Sequence, residues 1–434
     1  MNQNVQDFLH FIARAPSAFH AVDVLCQQLR GNGFERLCEH QAWQLVPGGR
    51  YFVTRNLSSV IAFTVPQEGF THFQIVASHS DSPTFKLKTV CENAVCDQYV
   101  RLNVERYGGM IMSSWFDRPL SIAGRVLVRE GDTLRTRLVD LGRDAVIIPN
   151  MPIHFNRQVN DGYTYNPQTD LLPLYGDVTA KGRLMRDIAD ACGAAPDAIA
   201  GSDLFLYCRM PGSVWGADDV YFSCPRIDDL ECAYTTVQGF IGAKAVGHVN
   251  VCAVFDNEEV GSGSKQGADS TFLADVLARI AAALSMDDAH LRAAVASSFM
   301  VSADNAHAVH PNHPEMYDAD NRAYMNEGVV IKHNANQKYT TDGVSDAIFS
   351  TICARAGVPV QHFSNRSDMP GGSTLGNIAN AHASMNTVDI GLAQLAMHSC
   401  YETAGVRDIA YMVNALHAFY ETNLSMRDDG MYAL

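Results

Sequence analysis

Three nearly continuous apolar runs of strand length, FQIVAS, VNVCAVF and SSFMVSA, constrain the fold of this chain more than any other feature. A strand that is apolar at almost every position leaves no face for water, so both of its faces have to be covered. TFLADVLARIAAAL and VRDIAYMVNALHAFYETNL carry apolar residues at a 3.6-residue period and have the length of covering helices. The expected class is therefore α/β: a mixed β-sheet flanked by helices.

Towards the N-terminus, Phe8, Leu9 and Ile12 form one apolar stripe, and Ala21, Val22, Leu25 and Leu29 form a second, with Pro16 between them. Two short helices broken at the proline are expected there. YFVT and SVIAFTV flank the polar turn RNLS as a hairpin, and FQIVAS then runs into His79. From about residue 91 to 225 the texture changes to alternating strands such as SIAGRVLVRE and TLRTRLVDL, joined across Gly131-Asp132, with one helical stretch near RLMRDIADACG. This predicts a β-rich domain over 91–225 inserted into a discontinuous α/β domain made of 1–90 and 226–434.

A length of 434 residues with 47% hydrophobic content provides for a large core. The net charge of -15, with no run of Lys or Arg to offset it, argues against a nucleic-acid partner. No apolar stretch is long enough for a membrane span, and MNQNVQDFLHFIARAPS lacks the apolar core of a signal peptide. Eleven cysteines, an odd number with no C-x-x-C pair, fit reduced thiols. The expected location is cytoplasmic.

In an α/β layer, ligands collect beyond the carboxyl ends of strands, so the polar residues that directly follow apolar runs are the ones to inspect. IVASHSDSP offers His79 and Asp81, VFDNEEVGS offers Asp256, Glu258 and Glu259, MVSADNAHAVHP offers Asp304, His307 and His310, and LAMHSCYE offers His398 and Glu402. PRIDDLECA adds Asp228 and Asp229 where the inserted domain returns to the core. Oxygen and nitrogen donors of this kind suit a divalent metal, and without one several clustered carboxylates would have to take up protons. Adjacent Glu258 and Glu259 cannot point the same way, so one can hold a metal while the other serves as general base. Asp81, two residues after His79, has the short spacing of a carboxylate that orients a ligating imidazole. Singly, each feature also has a structural explanation: Asp304 as the N-cap of a helix over NAHAV, His398 as a core histidine, Glu258-Glu259 as a solvated turn. Coincidence at five strand ends is what favours a metal centre.

These residues lie in motifs that resemble the aspartyl aminopeptidase family, the M18 metallopeptidases. ASHSDSP, RIDDL, DNEEVGSGS, SADNAHAVHPNH, IKHNANQKYTTDG, DMPGGSTLG and TVDIGLAQLAMHSCYE occur in that family's order, as does YGGMIMSSWFDRPLSIAGR, so the likeness covers nearly the whole chain. The resemblance implies a zinc-aminopeptidase-like core and two divalent metal ions, zinc first with manganese or cobalt as alternatives. It implies that Asp228 bridges the ions, that His79 and Asp304 complete one and Glu259 and His398 the other, and that Glu258 is the base. It further implies that His154, in NMPIHFNR, reaches a neighbouring subunit's active site, that Lys332 sits near an acidic substrate side chain, and that the chain assembles through the inserted domain into a tetrahedral dodecamer. DMPGGST, where relatives often carry a cysteine before the second glycine, and IDDL, where many have Asp-Asn, are departures that remove no ligand.

The implied activity is release of N-terminal residues, with Asp or Glu preferred, from peptides with a free N-terminus by a water that the metals activate. Two rival readings use the same residues: a dinuclear deacylase of N-acyl amino acids, and a non-catalytic oligomeric scaffold.

Overall fold

The apolar runs form the middle of a nine-stranded sheet in the computed structural model, which describes residues 2–434. In spatial order the strands are Glu35–Leu37, Arg50–Arg55, Ser59–Thr64, His248–Phe255, His72–His79, Phe299–Ala303, Asn386–Gly391, Val329–His333 and Val360–Ser364. The four from His248–Phe255 to Asn386–Gly391 are mutually parallel, while Ser59–Thr64 and Val329–His333 run antiparallel to their inner neighbours, so the sheet is mixed. Every residue of His72–His79, His248–Phe255 and Phe299–Ala303 is buried, as uninterrupted apolar runs require.

Alternation along the strands divides the core in two. Val76, Val254, Val301 and Ile390 pack under the helices Gln3–Arg14, Ala18–Gly31, Ile227–Phe240, Gly343–Arg355 and Asp408–Glu421. Ile75, Ala77, Ala253 and Met300 face the helices Phe272–Ala283, Asp288–Ala296 and Leu375–His382 on the other side. The expected break at Pro16 separates the first two helices, and the hairpin across RNLS is the pair Arg50–Arg55 and Ser59–Thr64. The fold is the expected α/β class.

A second, six-stranded sheet has its own core around Phe85, Leu102, Ile122, Val126 and Leu204. Its order is Thr133–Asp140, Leu120–Glu130, Ile199–Cys208, Thr84–Val95, Tyr99–Tyr107 and Leu174–Asp177, with all recorded pairings antiparallel. Thr84–Val95 pairs only within this sheet, so the changeover from the first sheet falls near Pro83, and a boundary at 90/91 cuts a strand. At the other end, Ser213–Trp215 and Tyr221–Cys224 join a third sheet with Glu402–Gly405, Ala393–Leu395 and Ala306–His307, so the return to the core begins before residue 225. No helix follows Asp304: Ala306–His307 is a two-residue strand paired with Ala393–Leu395. Gly391 permits that approach, since a β-carbon there would overlap the Asp304 carbonyl oxygen.

Candidate metal centre

The parallel strands end along one edge, and their next residues converge there. His79 is the last residue of its strand and is 1% exposed. Asp256 to Glu259 follow Phe255, and Asp304 follows Ala303. Asp228 arrives from the first turn of Ile227–Phe240, where the Asp228-Asp229 peptide is cis and both residues depart from helical angles. His398 completes the set from the loop before Glu402–Gly405.

Asp228 sits between two imidazoles. Its Oδ1 lies 3.6 Å from His79 Nε2 and its Oδ2 lies 3.2 Å from His398 Nε2. Each histidine has a further acid: Asp304 Oδ1 at 3.9 Å from His79 Nε2, and Glu259 Oε2 at 3.4 Å from His398 Nε2. Two donor groups result, His79 with Asp228, Asp229 and Asp304, and Asp228 with Glu259 and His398, each with its donor atoms within 4.8 Å of one another. Asp228 is common to both. Glu258 Oε2 is 4.0 Å from His79 Nε2, and Glu258 is more open than Asp228, at 16% against 3% side-chain exposure.

Asp81 organises the turn that carries the two glutamates. Its Oδ1 accepts from the Glu258 backbone N–H at 3.1 Å and its Oδ2 from that of Glu259 at 3.2 Å. Tyr107, from the six-stranded sheet, donates its hydroxyl to Asp81 Oδ2 at 2.6 Å and accepts from Asn257 Nδ2 at 2.8 Å. His79 Nδ1 is 3.1 Å from the Asp81 carbonyl oxygen and 3.3 Å from its Oδ1. Asp81 therefore touches the imidazole, as its spacing predicts, and also fixes Glu258 and Glu259. Glu402 does similar work on the other side: its Oε2 accepts from the backbone N–H groups of Ile227 and Asp228, at 2.6 and 3.1 Å, and its Oε1 from that of His398 at 2.7 Å.

The electrostatics are those of an acid cluster in want of positive charge. Burial, reinforced by Asp304 and Asp81 and opposed by His79, pushes Glu258 up to about 8. Burial and Asp228 raise Glu402 to about 8, and burial with Asp228 beside it holds Glu259 well above the carboxylate range. Against the effect of burial, His398 and His79 keep Asp228 below its ordinary value, while burial raises Asp229. His79 is raised by Asp229 and Asp228 despite its burial. Asp228 Oδ1, Asp229 Oδ1 and Glu259 Oε1 are buried without a hydrogen-bond partner. Carboxylates that each turn one oxygen to an imidazole and leave a buried oxygen unpartnered, in an all-oxygen and nitrogen donor set, fit divalent cations of the zinc type.

Of the residues singled out by sequence, His79, Asp81, Asp228, Glu258, Glu259, Asp304 and His398 come together. Lys332 lies behind Asp304, 2% exposed, donating to the carbonyl oxygens of Asp304 and Asn305 at 2.8 and 3.3 Å, with Asp304 Oδ2 at 3.8 Å. His154 is exposed in the segment 149–170 and, among the described residues, has no hydrogen bond to any of these side chains. Its neighbours Met151, Ile153 and Phe155 are also exposed, Phe155 by 83%. His310 is turned to its own loop, accepting from the Asn312 backbone N–H. Sequence reasoning missed Tyr107, which ends an ordinary alternating strand, and Glu231, buried one helical turn from Asp228, hydrogen-bonded to Asn305 at 2.8 Å and pushed up to about 8 by burial. Tyr107 opens the segment YGGMIMSSWFDRPLSIAGR and Glu231 lies in PRIDDLECA, but nothing local in either segment marks the side chain as part of the site. A cavity of about 300 Å³ adjoins the centre behind Asp228, walled by Ser17, Phe19, Tyr107, Phe205 and Arg226, and does not include Glu258, Glu259, Asp304 or His398.

An α/β sheet with buried imidazoles and carboxylates gathered beyond its strand ends is the framework of a metal-dependent hydrolase. Residues 11–420 match the family described as aminopeptidase I zinc metalloprotease (M18). The chain is 45% identical over 421 residues to a probable M18 family aminopeptidase 2 of Clostridium acetobutylicum, spanning 95% of this chain and 97% of that one. It is 39% identical over 432 residues to a Pseudomonas aeruginosa protein of the same description, with 98% of each covered. Among solved structures it resembles that of the Ape4 and Nbr1 complex, at a TM-score of 0.93 and 35% identity over 96% of this chain and 85% of that one. It also resembles the S. cerevisiae mApe1 dodecamer, at a TM-score of 0.86 and 26% identity over 97% of both chains. The chain belongs to the M18 family, and it is a metallo-aminopeptidase, a hydrolase acting on peptide bonds.

Proposed function

We propose that the chain is a dinuclear aminopeptidase that releases N-terminal Asp or Glu from peptides. The observation that carries the dinuclear reading is the division of Asp228: one oxygen faces His79 with Asp304, the other faces His398 with Glu259. Asp228 would bridge, His79 and Asp304 would hold one ion, and Glu259 and His398 the other, with zinc the favoured metal and manganese or cobalt as alternatives. When bound, two such ions polarise the scissile carbonyl and acidify a water toward a pKa of ~7, as a single zinc can.

The chain's own residues supply the rest. Glu258 removes the proton from the attacking water and returns it to the leaving amine; it stands beside His79 without belonging to either donor group, and Asp81 fixes its backbone. Glu402 and Asp81 hold the two sides of the centre in register. The peptide's free α-amino group is held within the acid cluster, which limits cleavage to one residue at a time. Lys332 supplies positive potential for an acidic first residue, in a chain whose net charge is -15. Buried as it is, it acts on the substrate through the Asp304 edge of the site.

Assembly into a tetrahedral dodecamer through the six-stranded sheet is part of this reading. It is supported by the dodecamer of the similar mApe1 and by the exposed apolar residues beside His154, which would carry that imidazole to a neighbouring subunit. A cytoplasmic location is supported by eleven free cysteines; among the described residues no helix is long and apolar enough to cross a membrane. The test is a comparison of Asp-, Glu-, Leu- and Ala-anilides with their N-acetylated forms. The proposal requires Asp and Glu to be preferred and acetylation to abolish turnover. Equal rates would remove the acidic preference, and release of acetate in place of the aniline from the acetylated substrates would make the enzyme a deacylase.

A further inference from the structure

A second cluster of metal-ligating side chains lies apart from the centre described above. His333 ends the strand Val329–His333, His362 belongs to the adjacent strand Val360–Ser364, and Asp346 is in the first turn of the helix Gly343–Arg355. The two strands are parallel, with Ile331 opposite His362 and His333 opposite Ser364. Alternation therefore puts His333 and His362 on one face, that of Ile331, which shares a core with Ile348 and Phe349 of this helix. Lys332 points to the opposite face, towards Asp304.

Three donor atoms from these residues form a nearly equilateral triangle. His333 Nε2 is 3.3 Å from Asp346 Oδ2, His362 Nδ1 is 3.5 Å from the same oxygen, and the two nitrogens are 3.4 Å apart. Donors bound at ~2.0–2.1 Å to a tetrahedral zinc lie ~1.63 bond lengths apart, or ~3.3–3.4 Å, so the triangle has the dimensions of one face of that tetrahedron. As hydrogen bonds the same contacts are long compared with the usual ~2.9–3.0 Å, and two nitrogens aimed at one oxygen gain nothing from approaching each other. The other oxygen of Asp346 accepts from Ser350 Oγ at 2.8 Å, one turn along the helix, which holds Oδ2 towards the imidazoles as an outer-sphere partner does for a ligating carboxylate. His362 is 48% exposed in its side chain, which leaves a route for an ion and room for water at the fourth position.

We propose that His333, Asp346 and His362 form a separate, non-catalytic site for one tetrahedral divalent cation of the zinc class, which fastens the outermost strand of the sheet to its neighbour and to the helix above. Val360–Ser364 is a sheet edge, paired on one side only, so a cross-link there opposes its fraying. The ion would stabilise the fold without touching substrate.

The test is zinc content per chain, measured by elemental analysis and by competition with a chromogenic chelator, on the intact protein and on His362→Ala and Asp346→Asn. His362→Ala removes a half-exposed ring and should bind one zinc fewer per chain with peptidase activity unchanged. Asp346→Asn keeps the size of the side chain and the contact with Ser350, and should weaken that one zinc at least ~10-fold. Added zinc should raise the melting temperature of the wild type more than that of either variant, because an ion bound only by the folded state stabilises it. Equal zinc content and affinity in all three proteins would overturn the proposal and leave the cluster a hydrogen-bonded trio.

Discussion

Replacing Asp81 by Asn tests how the site is held together. The native carboxylate receives three hydrogens from groups of the glutamate turn and of the six-stranded sheet: the N–H of Glu258 on Oδ1, and the N–H of Glu259 and the hydroxyl of Tyr107 on Oδ2. Asparagine has one acceptor oxygen. Placed at the Oδ2 position, that oxygen keeps Glu259 and Tyr107 but turns an amide N–H₂ towards the N–H of Glu258; in the other orientation two partners are lost. At least one hydrogen bond to a charged acceptor goes, worth ~1.5–3 kcal/mol, and a donor faces a donor. The turn has to shift, and Glu258 shifts with it. A displacement of ~1 Å at a reacting group can cost ~10²-fold in rate, so kcat should fall about 100-fold, or ~2.7 kcal/mol, with a much smaller change in KM. The assay is steady-state cleavage of an Asp-anilide at saturating zinc, which removes any loss of metal affinity from the comparison, alongside a thermal melt. A kcat within about threefold of wild type, with the metals bound, would refute the claim that this carboxylate positions the base.

Other outcomes follow from the same geometry. Glu258→Gln should leave both ions bound and lower kcat by ~10²–10⁴-fold, the usual worth of a general base; retained turnover would reject its role. Lys332→Met should lower kcat/KM for Asp-anilide more than for Ala-anilide, whereas an equal fall for both would mean that Lys332 serves only to support Asp304. Zinc loading near pH 7 should release protons, since burial raises Glu258 to about 8 and, with Asp228 beside it, holds Glu259 well above the carboxylate range, while a cation favours the charged carboxylates; calorimetry in buffers of different ionisation enthalpy measures this, and no release would contradict the reading of the acid cluster. At the far end of the central strands, burial and the neighbouring His248 push His72 down to about 4. The unfolded chain takes up this proton below pH ~6.5 and the folded chain only near 4, so stability complete above 6.5 is lost on acidification through that window, by up to ~3 kcal/mol. Denaturant melts of the wild type and His72→Gln at pH 7.5 and 4.5 should therefore diverge, and parallel curves would count against it.

How far the sequence reaches can be seen at particular residues. The runs ending at His79, Phe255 and Ala303 announce both the sheet and the site, because a strand buried on both faces is visible as composition and the residue after it inherits the carboxyl edge. Thr84–Val95 is different: an alternating strand is recognisable locally, but nothing local says which sheet it joins, and its partners are Tyr99–Tyr107 and Ile199–Cys208. The same holds for Tyr221–Cys224, which pairs with Glu402–Gly405 some 180 residues away. Asp304 has the local features of a helix cap, yet Ala306 and His307 find a partner strand at Ala393–Leu395, and pairing overrides the local preference. Tyr107 joins the site through such long-range packing, and Glu231, although carried on the same helix as Asp228, finds its partner Asn305 across the same kind of distance in the chain.

The central claim is that one aspartate joins two cations. Diffraction from crystals of the zinc-loaded protein, recorded on either side of the zinc absorption edge, tests it directly. The account predicts two anomalous peaks beside Asp228, one within ~2.0–2.2 Å of each carboxylate oxygen, with His79 and Asp304 on the first ion and His398 and Glu259 on the second. A single peak beside Asp228, or none in bonding distance of it, would contradict it.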